Sequence, residues 1–144
     1  PTFSNRLSTS YNFQLLSDFY ALSDPLSLST AFDDFLNNTK IDLGNSTGIY
    51  DNPDMSYGND AAGWILTTTV LPVDGTSNLA KIKLRTSGAV SIEFNLSGNP
   101  AGPFSVIGTE DTFVAAPAVG GSLLLRFTGA AGARIFNYMV VTKA

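Results

Sequence analysis

The sequence predicts an all-β protein, an antiparallel β-sandwich of jelly-roll-like type that follows an N-terminal extended arm with one or two short helices. Three observations support this fold class. From residue 61 onward, short segments carry apolar residues at every second position. Turn-forming Gly, Pro, Asn and Asp residues separate these segments at a spacing of about ten residues. No long helical pattern lies between them, which is typical of sandwiches and jelly rolls.

The chain divides into two parts near Ala61. Residues 1–60 are polar and irregular, and we expect them to form an arm and linker that pack on the sandwich or on a partner. Residues 61–144 should form the sandwich domain. With 144 residues, 44% of them hydrophobic, the chain has the size and composition of one folded domain.

Two neighbouring segments, LAKIKLR (79–85) and AVSIEFNLS (89–97), alternate most strictly between apolar and polar residues. The residues between them, Thr86-Ser87-Gly88, suit a three-residue hairpin loop with glycine in the left-handed conformation. We therefore predict a β-hairpin in which apolar residues face apolar residues and opposite charges meet. The predicted cross-strand pairs are Leu84 with Val90, Ile82 with Ile92 and Lys81 with Glu93.

Further strands are predicted on both sides of this hairpin. The last of them, ARIFNYMVVT, is apolar on both faces. We expect it to be central in its sheet or covered by a neighbouring subunit. The segments predicted as strands are 64–73, 103–107, 112–116, 122–128 and 133–142.

The first part of the chain contains more apolar residues than a free tail would. A first short helix is predicted with Phe13, Leu16, Phe19 and Tyr20 on one face. A second short helix, with Phe32, Phe35 and Leu36 on one face, is predicted after a Ser29-Thr30 cap. These side chains need cover, so we predict an assembly arm that docks on this sandwich or on a sister subunit. The residues assigned to the assembly arm are Phe3, Phe13, Leu16, Phe19 and Tyr20.

Composition argues against several functional classes. The sequence has no Cys and no His, so it lacks the usual nucleophile–base pairs and the commonest zinc ligands. Residues 1–60 carry a net charge of −6 and residues 61–144 one of +2, a division that does not favour nucleic-acid binding. The longest apolar runs are far shorter than the ~20 residues of a membrane span. We therefore predict a non-enzymatic protein without a nucleic-acid or membrane partner.

The stretch DNPDMSYGNDAAGW (51–64) concentrates carboxylates, amides and aromatic rings. It has three interpretations: a structural calcium loop, a sugar-stacking surface, or a turn that leads the chain into its first long strand. The EF-hand pattern is missing, and Asp and Asn are common turn residues, so the turn is favoured and no cofactor is expected. A single Trp more often points into a core. The calcium ligands would be Asp51, Asp54 and Asp60, and the sugar-binding residues would be Tyr50, Tyr57 and Trp64.

The segment DDFLNNTKIDLGNSTGIYDN (33–52) resembles a linker of tailed-phage virion surface proteins, namely capsid-decoration and fibre jelly-roll modules. In those proteins an Asp-Phe pair, a Thr/Ser-x-Ile-Asp element and a Ser-Thr element precede the jelly roll. The resemblance implies a homotrimer tied together by N-terminal arms, with other virion subunits as partners, on the surface of a virion. The matching positions are Asp34, Phe35, Thr39, Ile41, Asp42, Ser46 and Thr47.

Two functions are consistent with the sequence. The leading prediction is a virion structural protein, a jelly-roll subunit that decorates a capsid or forms part of a fibre or tail and acts by assembly. The alternative is a carbohydrate-binding module or lectin that binds a surface glycan through loop aromatics.

Overall fold

A computed structural model describes residues 29–73, 77–115 and 122–143 of the chain. Within these ranges the chain forms eleven β-strands and one short 3-10 helix, Leu43–Asn45. The all-β fold class predicted from the alternating segments is confirmed. In chain order the strands are β1 Ser29–Asp33, β2 Ile49–Asp51, β3 Ser56–Gly58, β4 Trp64–Thr67, β5 Leu71–Pro72, β6 Leu79–Ser87, β7 Val90–Asn95, β8 Ser105–Ile107, β9 Val114–Ala115, β10 Ser122–Gly129 and β11 Arg134–Lys143.

The strands form two antiparallel sheets with a shared apolar core. The larger sheet has the order β2-β3-β11-β6-β9, with β1 paired to β11 beside β3. The smaller sheet has the order β4-β10-β7-β8, with β5 paired to β10. Side chains from both sheets meet in one buried cluster, so the predicted antiparallel sandwich is confirmed. The bulkiest members of this cluster include Phe35, Trp64, Phe94, Phe127 and Tyr138.

Strand β11 is the centre of the larger sheet. It pairs with β6 over nine residue pairs on one side, and with β3 and β1 on the other. Tyr138 and Val140 belong to the core cluster, while Met139 and Val141 alternate with them and are also buried. A strand that is apolar on both faces was predicted to be central, and this prediction is confirmed.

The hairpin predicted between β6 and β7 is wrong, although both strands exist. Strand β6 pairs with β11 and β9, whereas β7 pairs with β10 and β8 in the opposite sheet. Gly88, with φ 88°, lies where the chain crosses from one sheet to the other. Ile82 and Ile92 both reach the core from facing sheets. Alternation identifies the buried face of a strand but not its hydrogen-bonding neighbour, so the pattern suits either arrangement.

The helix predicted after Ser29-Thr30 is also wrong, because this segment is strand β1. The Asp33 Oδ1 atom accepts a hydrogen bond from the Phe35 backbone N–H at 2.9 Å, and the chain turns there with Phe35 at φ 57°. Residues 29–58, predicted as part of an arm and linker, contribute three strands to the larger sheet. The earlier helix and the assembly-arm residues Phe3, Phe13, Leu16, Phe19 and Tyr20 lie outside the described residues.

Asp33 ends β1 as a buried carboxyl group opposite Tyr138 of β11. Burial raises the pKa of this carboxyl from 3.8 to about 6, against the lowering effect of the Phe35 N–H bond. Among the described residues, neither the Asp33 Oδ2 atom nor the Tyr138 hydroxyl has a hydrogen-bonding partner. Within the same residues, none of the helices has the length and apolarity needed to span a membrane.

Candidate functional site

An open cleft lies beside the β2–β3 hairpin, at one edge of the larger sheet. Its volume is about 550 Å³. The wall is apolar where Ile49, Tyr50, Pro53 and Ala61 contribute, and it is polar elsewhere. The DNPDMSYGNDAAGW stretch therefore supplies much of a concave surface as well as a turn. The polar residues that line the cleft are Asp51, Asn52, Asn59, Asp60 and Arg134.

A row of three residues across β2, β3 and β11 shapes this surface. Ile49 pairs with Gly58, and Gly58 pairs with Arg134. A Cβ atom on Gly58 would lie 2.5 Å from the Ala133 carbonyl oxygen and 3.1 Å from the Arg134 Cγ atom. The glycine therefore lets the chain from Ala133 to Arg134 approach β3 closely, and it leaves no side chain between Ile49 and Arg134.

Short-range hydrogen bonds fix the two rims of the cleft. In the β2–β3 turn, Asp51 Oδ1 accepts a hydrogen bond from the Asp54 N–H at 3.1 Å, and Met55 follows with φ 50°. On the other rim, Asn59 Oδ1 accepts from the backbone N–H groups of Ala61 and Ala62 at 2.9 and 3.2 Å. Both rims are built from Asx-type turns, which hold the loop backbone without a metal.

Arg134 occupies the centre of the acidic residues. Its Nε atom donates to Ser56 Oγ at 2.8 Å and lies 3.9 Å from the Asp54 carboxylate, while its Nη1 atom lies 3.5 Å from Asp60 Oδ1. The described residues contain no group of three His, Cys, Asp or Glu side chains able to hold a metal ion. Asp51, Asp54 and Asp60 are thus not gathered into one ligand group within the described residues, and the Arg134 guanidinium lies between Asp54 and Asp60.

Two of the three aromatic residues predicted to stack on sugar are buried. Tyr57 and Trp64 are only 1% and 2% exposed, and their rings pack edge to face at 5.5 Å. The Trp64 indole N–H donates to the Ala133 carbonyl oxygen at 2.8 Å. Gly129 lies so close to the indole that any side chain there would overlap it. The prediction that Tyr57 and Trp64 bind sugar is wrong, and Trp64 points into the core instead.

Tyr50, the third of these residues, contributes to the lining of the cleft. It pairs with Tyr57 across the hairpin, so its ring lies on the same face of the sheet as the Tyr57 ring and packs against the core cluster. Its hydroxyl donates to the Phe35 carbonyl oxygen at 2.6 Å, which fixes the ring in position. Burial raises the pKa of the Tyr50 hydroxyl, and the negative charges of Asp33, Asp34 and Asp51 raise it further.

Ile49 and Arg134 were missed as site residues from the sequence. Arg134 meets Ser56 across 78 positions of the chain, because β3 pairs with the start of β11. No local motif around Arg134 indicates this contact, which depends on long-range strand pairing. Ile49 lies in the segment 33–52 quoted above, but an aliphatic side chain does not by itself indicate a functional site.

No protein-family model matches this sequence, and no curated protein does. Among solved structures, one chain in the structure of accessory secretory protein 1, 2 and 3 of Streptococcus pneumoniae is similar, with 15% identity, a TM-score of 0.47, and coverage of 85% of this chain and 98% of that chain. A carbohydrate-binding module of Cellvibrio mixtus lichenase 5A, solved with cellotriose, has 17% identity, a TM-score of 0.38, and coverage of 82% and 98%.

A family two carbohydrate esterase from Cellvibrio japonicus is also similar, with 14% identity and a TM-score of 0.39. The match covers 81% of this chain but only 34% of the esterase, so the chain spans about a third of that protein's length. These structural likenesses do not assign a function to the chain.

Proposed function

We propose that this protein is a non-catalytic carbohydrate-binding module that holds a glycan in the cleft beside the β2–β3 hairpin. The observation that carries the proposal is the composition of the cleft wall. Apolar surface from Ile49 and Pro53 lies next to hydrogen-bonding groups of both kinds, the acceptor Asp60 and the donor Arg134. Several structurally similar proteins are described as carbohydrate-binding modules, but the proposal is based on the cleft itself.

A sugar ring is complementary to such a wall because the ring also has both apolar and polar surface. Its C–H groups pack on apolar or aromatic side chains, while its hydroxyls both donate and accept hydrogen bonds. Carboxylates accept from hydroxyls, and a guanidinium donates to them. A concave site with an apolar wall and a few polar groups is the usual form of a small-ligand site. The volume of about 550 Å³ is within the range of such sites.

A matched pair of variants tests this proposal. Ile49 is 60% exposed on the edge strand β2, and Val106 is 62% exposed on β8, the edge strand of the other sheet. Both substitutions to Ala remove exposed methyl groups from an edge strand, but only Ile49→Ala alters the cleft. We expect the wild-type protein and Val106→Ala to bind the same neutral oligosaccharides on a glycan array. Calorimetry on the strongest hit should show binding about fivefold to tenfold weaker for Ile49→Ala, from lost apolar contact.

Two results would contradict the proposal. One is an array on which the wild-type protein binds no glycan. The other is equal affinity of Ile49→Ala and Val106→Ala for the same oligosaccharide, which would place any binding surface elsewhere on the molecule.

Assembly into a virion is the second candidate function. One observation favours it: large apolar side chains are exposed where the chain enters the sandwich, namely Phe32, Leu36 and Leu43. Removing residues 1–28 leaves β1 intact and tests this role. A trimer that becomes a monomer after the deletion would support assembly through the arm, whereas a monomer both before and after would contradict it.

A further inference from the structure

We infer that the cleft selects neutral glycans and discriminates against anionic ones such as uronates and sulfated sugars. This inference rests on the proposed function and adds the chemical class of the ligand. It depends on how charge is distributed around Arg134.

The cleft carries more negative than positive charge. Asp51 and Asp60 line it, and the Asp54 carboxylate lies 3.9 Å from the Arg134 Nε atom. Three carboxylates against one guanidinium leave a net charge of −2 among these four groups. A second anion brought into the cleft would be repelled.

Arg134 is already engaged with groups of the protein and does not act as an anion receptor. Its Nε atom is bonded to Ser56 Oγ, and its Nη1 atom lies 3.5 Å from the Asp60 carboxylate. The Nη2 atom is shielded from solvent and has no hydrogen-bonding partner among the described residues, so it is not presented to a ligand in the cleft. A carboxylate or sulfate would require a bidentate guanidinium whose charge is not already balanced.

Lys40 does not change the net charge of the cleft. Its charge acts on the pKa of Asp33. Its ammonium group donates to the Phe32 carbonyl oxygen at 2.6 Å and lies 4.9 Å from the centre of the Phe32 ring. Lys40 is absent from the lining of the cleft. The carboxylates therefore determine which ligands can approach.

The experiment compares oligosaccharides that differ only in charge. The probes are cellotetraose and its C6-oxidised glucuronate counterpart, and mannotetraose with its mannuronate counterpart. Affinities are measured by calorimetry in about 20 mM and about 500 mM NaCl, since salt screens repulsion between exposed charges. We expect the neutral member of a pair to bind about tenfold more tightly at low salt. This ratio should shrink at high salt.

A second arm removes one charge from the cleft. Asp60→Asn keeps the shape of the side chain and one acceptor oxygen, and it should lower the ratio of neutral to uronate affinity several-fold. Glu110→Gln is the control, because Glu110 lies between β8 and β9, and β9 is at the opposite edge of the larger sheet from β2. Glu110→Gln changes the total charge by the same amount but at a place away from the cleft. It should therefore leave the ratio of neutral to uronate affinity unchanged.

The outcomes separate this inference from the proposed function. Equal or tighter binding of the uronate at low salt would overturn the charge selectivity while leaving glycan binding intact. Loss of binding to both members of every pair, together with an empty glycan array, would instead overturn the proposed function. An equal effect of Asp60→Asn and Glu110→Gln would show that total charge, not the cleft, governs the ratio, and would also overturn the inference.

Discussion

The two faces of the β2–β3 hairpin have opposite characters. On the inner face, Tyr57 is buried against Trp64, and the tyrosine hydroxyl accepts a hydrogen bond from the Gly48 N–H at 2.8 Å. On the outer face, Ile49 is 60% exposed, and Gly58 places no side chain between Ile49 and Arg134. The aromatic residues that resemble a sugar-binding set are thus structural, while the candidate site depends on an aliphatic residue, a glycine and a distant arginine. Strand alternation, not residue type, decides which side chains are available to a ligand.

The largest difference between the two faces should appear in stability. Trp64→Ala removes a buried indole and its hydrogen bond to Ala133, so we expect a loss of about 3–5 kcal/mol in the free energy of unfolding. Ile49→Ala should change it by less than about 0.5 kcal/mol, because that side chain is exposed. Urea denaturation measures both values. Similar losses for the two variants would contradict the assignment of inner and outer faces.

The next largest difference should be in how stability depends on pH, between a buried carboxyl group and an exposed one. Because burial raises the pKa of Asp33 from 3.8 to about 6, the folded state binds its proton more tightly than the unfolded chain does. Its contribution to stability is therefore most favourable below about pH 4, and it falls as pH rises to about 6. The shift corresponds to at most about 3 kcal/mol. Asp33→Asn keeps an acceptor for the Phe35 N–H and removes the charge.

We expect Asp33→Asn to be more stable than the wild-type protein at pH 8 by about 1–3 kcal/mol, and this advantage should shrink as pH falls from 6 to 4. Asp60→Asn is the exposed counterpart and should stay within about 0.5 kcal/mol of the wild type at pH 8. Chemical denaturation at several pH values tests both. A wild-type protein that is as stable as Asp33→Asn at pH 8 would show that the buried carboxylate carries no such penalty.

A smaller effect on stability, but a clear one on binding, is expected at Arg134. Arg134→Met keeps the packing of the stem but leaves Ser56 Oγ and two carboxylates without the guanidinium, at a cost of about 1–2 kcal/mol. Glycan affinity should fall at least about tenfold. Arg134→Lys restores the charge but not the planar guanidinium, so it should recover stability more than affinity. Full recovery of affinity in the lysine variant would show that charge alone suffices.

The fold class was predictable from the sequence, but the strand pairing was not. Alternation in β6 and β7 identified their buried faces, and the doubly apolar β11 was correctly expected to be central. The β6–β7 hairpin was wrong because the same alternation suits two strands that face each other from different sheets. The helical spacing of Phe32, Phe35 and Leu36 predicts a helix where the chain forms strand β1. The strand forms instead because β11 offers a partner more than a hundred positions away.

The candidate site was predictable only as a segment of the chain. Concentrated Asp, Asn and aromatic residues identified 51–64 as unusual, and part of this segment does line the cleft. Its composition did not reveal that Tyr57 points inward, or that Arg134 takes the place expected for a cation. Both facts follow from the pairing of β3 with β11, a contact between distant parts of the chain.

The most direct test of glycan binding in the cleft is an NMR titration of the ¹⁵N-labelled protein with the strongest neutral oligosaccharide from the array. The account predicts that amide shifts will be concentrated in residues 49–61 and around Arg134, with little change in β8 or near Glu110. Shifts confined to the smaller sheet, or the same shifts in Ile49→Ala at the same ligand concentration, would contradict it.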